Sequence, residues 1–333
     1  MNEQRARELW FEEPRRTALR EGTEPAMRPG SVKVRALASA ISQGTELLLY
    51  RGEGPTPFDV SLGTSSCTTY PCRYGYCWVG EVTQCASDVT TIEVGTRVFA
   101  LAAHGDVHVL HEHDANVIGF DIPPIRATLA ANLETAVNGI WDARVSLGDR
   151  VTVFGAGVVG LLVAWLASKS GADVTLVEIE ESRRRLAAEF AGVRTLAPSQ
   201  LASEPGSDVV IEATGNPATL DDAVRCAGHE ATIIVLSFYG ERSHPVRLGE
   251  QFHRRRLSLK SSQVSVLPPH QVPRWSHARR FELVRRLLRE PMLDALVDHR
   301  VSFDDAPETY ARLDRNPSQF RQTVFVYGGS CTL

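Results

Sequence analysis

From Val151 onward, short apolar runs alternate with stretches whose apolar positions recur at helical spacing. Val151–Phe154, Asp173–Val177, Asp208–Ala213 and Thr232–Phe238 read as strands, and Val158–Lys169, Glu181–Phe190 and Pro217–Ala227 as the helices between them. The strand runs are continuously apolar, as expected of a parallel sheet covered on both faces. Just upstream, Leu129, Leu133, Val137 and Ile140 share one face and predict a single helix over Arg126–Arg144. Residues 1–125 differ. Their β-branched runs (Ser31–Ala38, Val79–Thr83, Arg97–Leu101, Val107–Leu110) are punctuated by Gly and Pro, with loops at Gly52–Pro57 and Gly63–Pro71. After a helix over Ser276–Arg289 the tail returns to strand-like text at Val297–Val301 and Thr323–Tyr327. The pattern predicts an α/β chain: a discontinuous β-rich domain (1–125 and 268–333) interrupted by a doubly wound parallel sheet (126–267).

Composition narrows the field. A chain of 333 residues, 43% hydrophobic and 23% charged, has material for two globular cores and is neither disordered nor fibrous. A net charge of −4 argues against a nucleic-acid partner held by phosphate contacts. The longest apolar run, Val158 to Ala167, is too short for a bilayer, and no N-terminal segment has signal-peptide character. The expectation is a cytoplasmic protein with no membrane partner. Of six cysteines, four fall at Cys67, Cys72, Cys77 and Cys85, while Cys226 and Cys331 stand apart. In a reducing compartment such a cluster is more often metal-binding or incidental than disulfide-forming. Its spacing lacks the paired C-x2-C of a tetrahedral zinc site.

The strongest chemical signal is Gly155-Ala-Gly157-Val-Val-Gly160, which follows one apolar strand and opens a helix. Gly155 permits a tight turn, Gly157 lets backbone approach a pyrophosphate, and Gly160 lets helix and strand pack closely. Val158 and Val159 begin the helix whose free N–H groups and positive end would meet the phosphates. Glu178 closes the second strand eighteen residues after Gly160, where an acid binds the adenosine ribose hydroxyls and repels a 2′-phosphate. That favours NAD(H) over NADP(H), although Arg183, Arg184 and Arg185 stand close by. Thr214-Gly215 and Ser237-Phe238 close the next two strands and line the same edge, the latter pair being as compatible with a plain turn.

These motifs occur in a familiar order. Gly148-Asp149-Arg150-Val151 before the glycine loop, together with Gly44-Thr45-Glu46, Tyr74-Gly75-Tyr76, Val79-Gly80, Leu133–Gly139 and Phe252–Arg256, resembles the medium-chain dehydrogenase/reductases over essentially the whole chain. The nearest texture is that of the bacteriochlorophyllide and threonine dehydrogenases. The resemblance implies a GroES-like catalytic domain, a Rossmann domain with Thr135 beside the cofactor, and a homodimer. It also implies zinc, and here the chain departs. Ser42 stands where the family has its first Cys ligand, Tyr76 where it has His, and Ala130 or Ala131 near the third ligand. The segment after Gly95-Thr96-Arg97-Val98, where the resemblance puts a structural-zinc lobe, holds no cysteine until well past Pro123. Neutral Ser and Tyr hold divalent zinc poorly. His104, His108, His111 and His113 form a second candidate group, but His108–His111 suits an exposed strand edge better. The expectation is no metal.

Without zinc, side chains must handle the proton and the developing oxyanion. Tyr76 takes the place of a ligand that would face the substrate, and Thr45 that of the family's proton-relay hydroxyl. Each has a bland alternative, a packed aromatic and a turn cap. Glu134, amid Leu133, Ala136 and Val137, is a candidate acid/base or a carboxylate paired with an Arg. Glu46 is a candidate catalytic group or an Arg partner, and His104 a candidate for facing the substrate. The expected activity is zinc-independent, NAD(H)-dependent hydride transfer at an alcohol or carbonyl of a small polar metabolite. A zinc-free reductase of activated C=C bonds and a non-catalytic cofactor-binding sensor are the alternatives. Substrate choice is assigned to loops 50–72 and 264–275.

Overall fold

The computed structural model describes residues 5–54, 67–203 and 206–328. Cys331 and residues 55–66, which include parts of the loops expected at Gly52–Pro57 and Gly63–Pro71, fall outside the described residues. The described chain forms two compact units, Met1–Ala131 with Arg285–Leu333, and Asn132–Val284.

The first unit opens with an antiparallel pair, β1 (Arg5–Glu13) and β2 (Arg16–Thr23), turned at Arg15 in the left-handed region. Strand β3 (Ser31–Ala40) leads to helix α1 (Gln43–Arg51), and then come β4 (Trp78–Cys85), β5 (Arg97–Ala100), β6 (Val107–His111) and β7 (Asn116–Ile118). β3 is the hub, pairing antiparallel with β4 and with β6. Its inward positions Val32, Val34 and Ala36 join Leu9 and Phe11 of β1 and Trp78 of β4 in one apolar core. Short helix α2 (Pro124–Ala127) ends this stretch, and α3 (Ala130–Ala143) follows. The single helix expected over Arg126–Arg144 is thus broken at Thr128-Leu129. The Thr128 hydroxyl donates to the Ile125 carbonyl at 2.6 Å, and the bonds there tighten to three-residue spacing, which ends the α-helical ladder.

The second unit contains β8 (Arg150–Phe154), α4 (Val158–Lys169), β9 (Asp173–Val177), α5 (Glu181–Ala191), β10 (Arg194–Leu196), β11 (Ser207–Glu212), α6 (Thr219–Cys226), β12 (Ala227–Val235), α7 (Glu250–Arg254) and β13 (Ser258–Ser261). Its sheet is parallel throughout, in the order β10-β9-β8-β11-β12-β13. The strand order reverses between β8 and β11, the switch point where a doubly wound sheet leaves a crevice at its carboxyl edge. Helix α8 (His277–Leu287) then carries the chain back to β14 (His299–Ser302), α9 (Ala306–Arg315) and β15 (Thr323–Val326). β15 pairs antiparallel with β3, so the tail completes the sheet of the first unit. Tyr310 of α9 and Phe325 of β15 enter its core. Among the described residues no helix is long and apolar enough to cross a membrane.

Two expectations need correction. Cys67 and Cys72 are joined by a disulfide, their Cα atoms 4.9 Å apart, whereas Cys77, Cys85 and Cys226 are free. Chain spacing alone did not reveal that the segment from Cys67 folds back to bring the two thiols together. His108 is buried rather than on an exposed edge, because β6 is covered on its inner face. Its ring packs edge-on against Trp78 at 4.9 Å, its Nε2 donates to the Ala103 carbonyl, and burial depresses its pKa to about 4.

Candidate active site

In the first unit, Ser42 is the residue before α1, yet its hydroxyl does not cap the helix. Glu46, one turn into α1, reaches back instead and accepts the Ser42 N–H at 2.8 Å. The Ser42 hydroxyl is thereby released to bond the Tyr76 hydroxyl, which also donates to Thr45 Oγ1 at 3.2 Å. Ser42, Thr45 and Tyr76 form one half-buried hydroxyl cluster, so the polar partners of Tyr76 are side chains of α1 rather than backbone. Burial raises the Tyr76 pKa, and the negative Glu46 nearby acts in the same direction, so the phenol keeps its proton. Burial and Glu46 likewise hold Cys77 as a thiol.

Glu46 and His104 lie behind this cluster, 0% and 1% exposed. His104 Nε2 meets Glu46 Oε2 at 3.0 Å, and Tyr310 donates to the same oxygen. Glu46 therefore pairs with His104, not with an Arg, and neither side chain is open to a substrate. Gly75 sits at φ 131°, and a Cβ there would lie 3.0 Å from the His104 ring, so the turn before Tyr76 rests directly on that ring.

In the second unit the glycine loop spans the switch point. Gly155 has φ 97°, and an added Cβ would meet the Ala213 carbonyl oxygen at 2.8 Å; at Gly160 it would meet the Gly155 carbonyl oxygen at 2.0 Å. At Gly157 it would meet nothing within 4 Å. The loop thus leaves open space over the first turn of α4, where Val158, Val159 and Gly160 begin the helix and no side chain caps their N–H groups. This cradle fits a pyrophosphate. Glu178 closes β9 beside it, accepting from Ala156 N–H at 2.8 Å and Glu180 N–H at 3.0 Å. Arg184 is folded onto the Glu178 and Ile179 carbonyls, Arg185 pairs with Glu181, and Arg183 is half-buried.

The Thr214-Gly215 turn follows β11, and the Gly215 N–H donates to Ser237 Oγ at 2.8 Å, which ties two of the expected cofactor residues together. Phe238 is 52% exposed. Beneath them lies a group that sequence reasoning missed. Glu212, fully buried, accepts from Thr214 N–H at 2.6 Å, from the Thr214 hydroxyl, and from Tyr239 OH at 2.6 Å. An acid closing an otherwise apolar strand was the available signal. Glu134, next to half-buried Thr135, pairs with Arg280 at 3.1 Å, and Arg280 also donates to Asn138 Oδ1 and the Val264 carbonyl. Burial raises the Glu134 pKa against the opposing pull of Arg280. Among the described residues, no group of three or more His, Cys, Asp or Glu side chains is placed to hold a metal ion. At the positions where the resemblance puts ligands, Ser42 and Tyr76 offer only neutral oxygens already bonded to each other, and Ala130 and Ala131 offer none. This donor set does not fit zinc.

A parallel sheet with a glycine cradle at its switch point, carried by a chain that also builds a β-rich unit, defines a dinucleotide-binding oxidoreductase. Residues 158–278 match the zinc-binding dehydrogenase family. The chain is 27% identical to D-guloside 3-dehydrogenase of Escherichia coli over 92% of its own length and 95% of that protein. It is 25% identical to (R,R)-butanediol dehydrogenase of Bacillus subtilis, over 90% and 94%. Among solved structures, a Sinorhizobium meliloti zinc-binding dehydrogenase bound to NADP superposes with a TM-score of 0.79 at 23% identity, covering 97% of this chain and 99% of that one. The chain belongs to the medium-chain dehydrogenase/reductase superfamily and is an NAD(P)-dependent dehydrogenase/reductase.

Proposed function

We propose that this enzyme transfers hydride between NAD(H) and a secondary alcohol or its ketone on a small polyhydroxylated metabolite, without zinc. The observation that carries the proposal is the Ser42–Tyr76–Thr45 hydroxyl cluster, in which Ser42 and Tyr76 stand where the family resemblance puts metal ligands and Thr45 where it puts a proton-relay hydroxyl. In the oxidative direction the alcohol loses a hydride to NAD+ and a proton to water, giving ketone, NADH and H+. With its pyrophosphate held at the Gly155–Gly160 cradle, the cofactor would supply or accept the hydride at its nicotinamide. Tyr76 OH turns its one proton from Thr45 Oγ1 to the substrate oxygen as negative charge develops there, while the Ser42 hydroxyl donates to the phenol oxygen and keeps it in place. The raised Tyr76 pKa supports a donor that stays protonated across the neutral range.

NAD(H) is preferred because the Glu178 carboxylate disfavours a 2′-phosphate, while Arg184 and Arg185 are engaged elsewhere. We read Glu134 as a structural partner of Arg280. The polyhydroxylated substrate class draws on the relatives, which include L-galactonate-5-dehydrogenase of Escherichia coli alongside the guloside and butanediol enzymes. The homodimer reading rests on β13, an exposed edge strand whose free backbone groups invite a second copy. The test is a panel of D-gulosides, hexonates, polyols and 2,3-butanediol with NAD+ and NADP+, followed at 340 nm. The ketones formed are then reduced with deuterated NADH. Label on the carbon bearing oxygen is expected. Label at a former C=C carbon, or binding of NADH with no turnover across the panel and a matching set of enones, would overturn the proposal.

A further inference from the structure

Five side chains far apart in sequence, Ser39, Glu46, His104, Tyr310 and Tyr327, meet in one sealed run inside the first unit. Ser39, Glu46, His104 and Tyr310 are at most 1% exposed. His104 Nδ1 lies 2.7 Å from Ser39 Oγ, and Ser39 Oγ lies 2.7 Å from the Tyr327 hydroxyl. The Phe325 ring closes the imidazole edge-on at 5.2 Å.

Proton bookkeeping fixes the direction of this run. Ser39 Oγ is the side-chain partner of the Tyr327 hydroxyl, and when Tyr327 donates to it, Ser39 passes its own proton to His104 Nδ1, which then carries a lone pair. The imidazole proton sits on Nε2 and points at Glu46. Were His104 doubly protonated, the Ser39 proton would turn to Tyr327 and leave the Tyr327 proton buried without a partner. Glu46 receives three donors: the Ser42 N–H, His104 Nε2–H and Tyr310 OH. A carboxylate accepts all three with no proton of its own left to place.

We propose that His104, as the neutral Nε2–H tautomer, and Glu46, as a carboxylate, are positioning residues that hold the Ser42 end of α1 and the Gly75 turn in register, so that the hydroxyl cluster forms around Tyr76. This rests on taking that cluster as the proton-handling site. Glu46 fixes Ser42 through its backbone N–H, leaving the serine hydroxyl free for Tyr76. His104 fixes Glu46 on one side and supports Gly75 on the other.

Histidine-selective 15N NMR of the full-length protein tests the tautomer without a substrate. One resonance pair, assigned by its loss in His104→Gln, should show an acceptor Nδ1 and a protonated Nε2. Two protonated nitrogens, or a proton on Nδ1, would overturn the assignment. His104→Leu removes the donor to Glu46, whereas the amide of His104→Gln restores one. With the panel alcohol oxidised fastest, kcat should fall about tenfold to a hundredfold in His104→Leu, the cost of one bond to a buried charge. His104→Gln should recover most of it, and the KM for NAD+ should stay within about twofold in both. Equal losses in the two variants, or a loss confined to KM, overturn the positioning role. Should His104→Leu fail to fold, Ser39→Ala interrupts the run one step away, and an unaltered His104 Nδ1 signal there refutes the direction derived above. An unimpaired Tyr76→Phe enzyme would sink the underlying site while leaving the NMR result standing.

Discussion

Two glycines five residues or fewer apart in the nucleotide loop should respond to substitution in opposite ways. Gly157 has φ −71° and ψ 174°, backbone open to any residue, and an added Cβ meets nothing within 4 Å. Gly157→Val should fold, losing at most about 1 kcal/mol from poorer capping at the start of α4. The space its methyl groups enter is the pyrophosphate approach, so NADH affinity should drop by at least about 100-fold, roughly 2.7 kcal/mol. Gly160 behaves differently. Its Cβ would lie 2.0 Å from the Gly155 carbonyl oxygen, a backbone atom that can move only with the turn. Gly160→Ala should cost about 1–3 kcal/mol or more of stability, because the clash forces helix α4 away from the loop. Urea unfolding followed by circular dichroism, paired with NADH fluorescence titration, separates the two effects. A Gly157→Val protein that binds NADH like the wild type, or a Gly160→Ala protein of unchanged stability and affinity, would refute the cradle geometry.

Other variants probe the remaining assignments. Tyr76→Phe should lower kcat by roughly 10²–10³ with the KM for NAD+ within twofold, and destabilise the first unit by only about 1 kcal/mol as Ser42 and Thr45 lose a partner; steady-state kinetics showing wild-type kcat would remove Tyr76 from the chemistry. Glu178→Ala should reduce the NAD/NADP preference by about tenfold, measured as the ratio of kcat/KM values, since the ribose loses a charged acceptor; an unaltered ratio sinks that role. His108 is held neutral by burial, with its pKa at about 4 against an ordinary 6.5, so the unfolded chain binds the extra proton first. Its contribution is present above pH 6.5 and is lost on acidification, about 3 kcal/mol by pH 4. His108→Gln, which keeps a donor for Ala103 but cannot titrate, should flatten that part of the stability profile.

The cofactor half of the site was legible because its determinants are local. Gly155, Gly157 and Gly160 lie within one turn, Glu178 sits at a fixed distance along a βαβ unit, and the strands declare themselves by unbroken apolar runs. The four inner strands of the parallel sheet and the returning β15 followed the hydrophobic pattern, whereas the short edge strands β10 and β13 carry no continuous apolar run. What escaped was set by tertiary closure. The run from Tyr310 through Glu46, His104 and Ser39 to Tyr327 draws on β3, α1, a loop and the distant tail, and no spacing rule links them. His108 has the local text of an edge residue and is buried on the covered face of β6, where Trp78 lies against it. The helix break at Thr128 hides behind a continuous apolar face, since a hydroxyl bonding back to Ile125 leaves periodicity untouched. Arg280, the partner of Glu134, lies 146 residues away, so Glu134 stayed open between two roles until the fold supplied its neighbour.

The central claim is that hydride transfer here proceeds on hydroxyls without zinc. The most direct measurement is the metal content of purified, chelator-treated enzyme alongside its kcat on the best panel alcohol. Full activity is expected at well under one zinc per chain, with no gain when zinc is added back. Activity lost on chelation and restored stoichiometrically by zinc would contradict it.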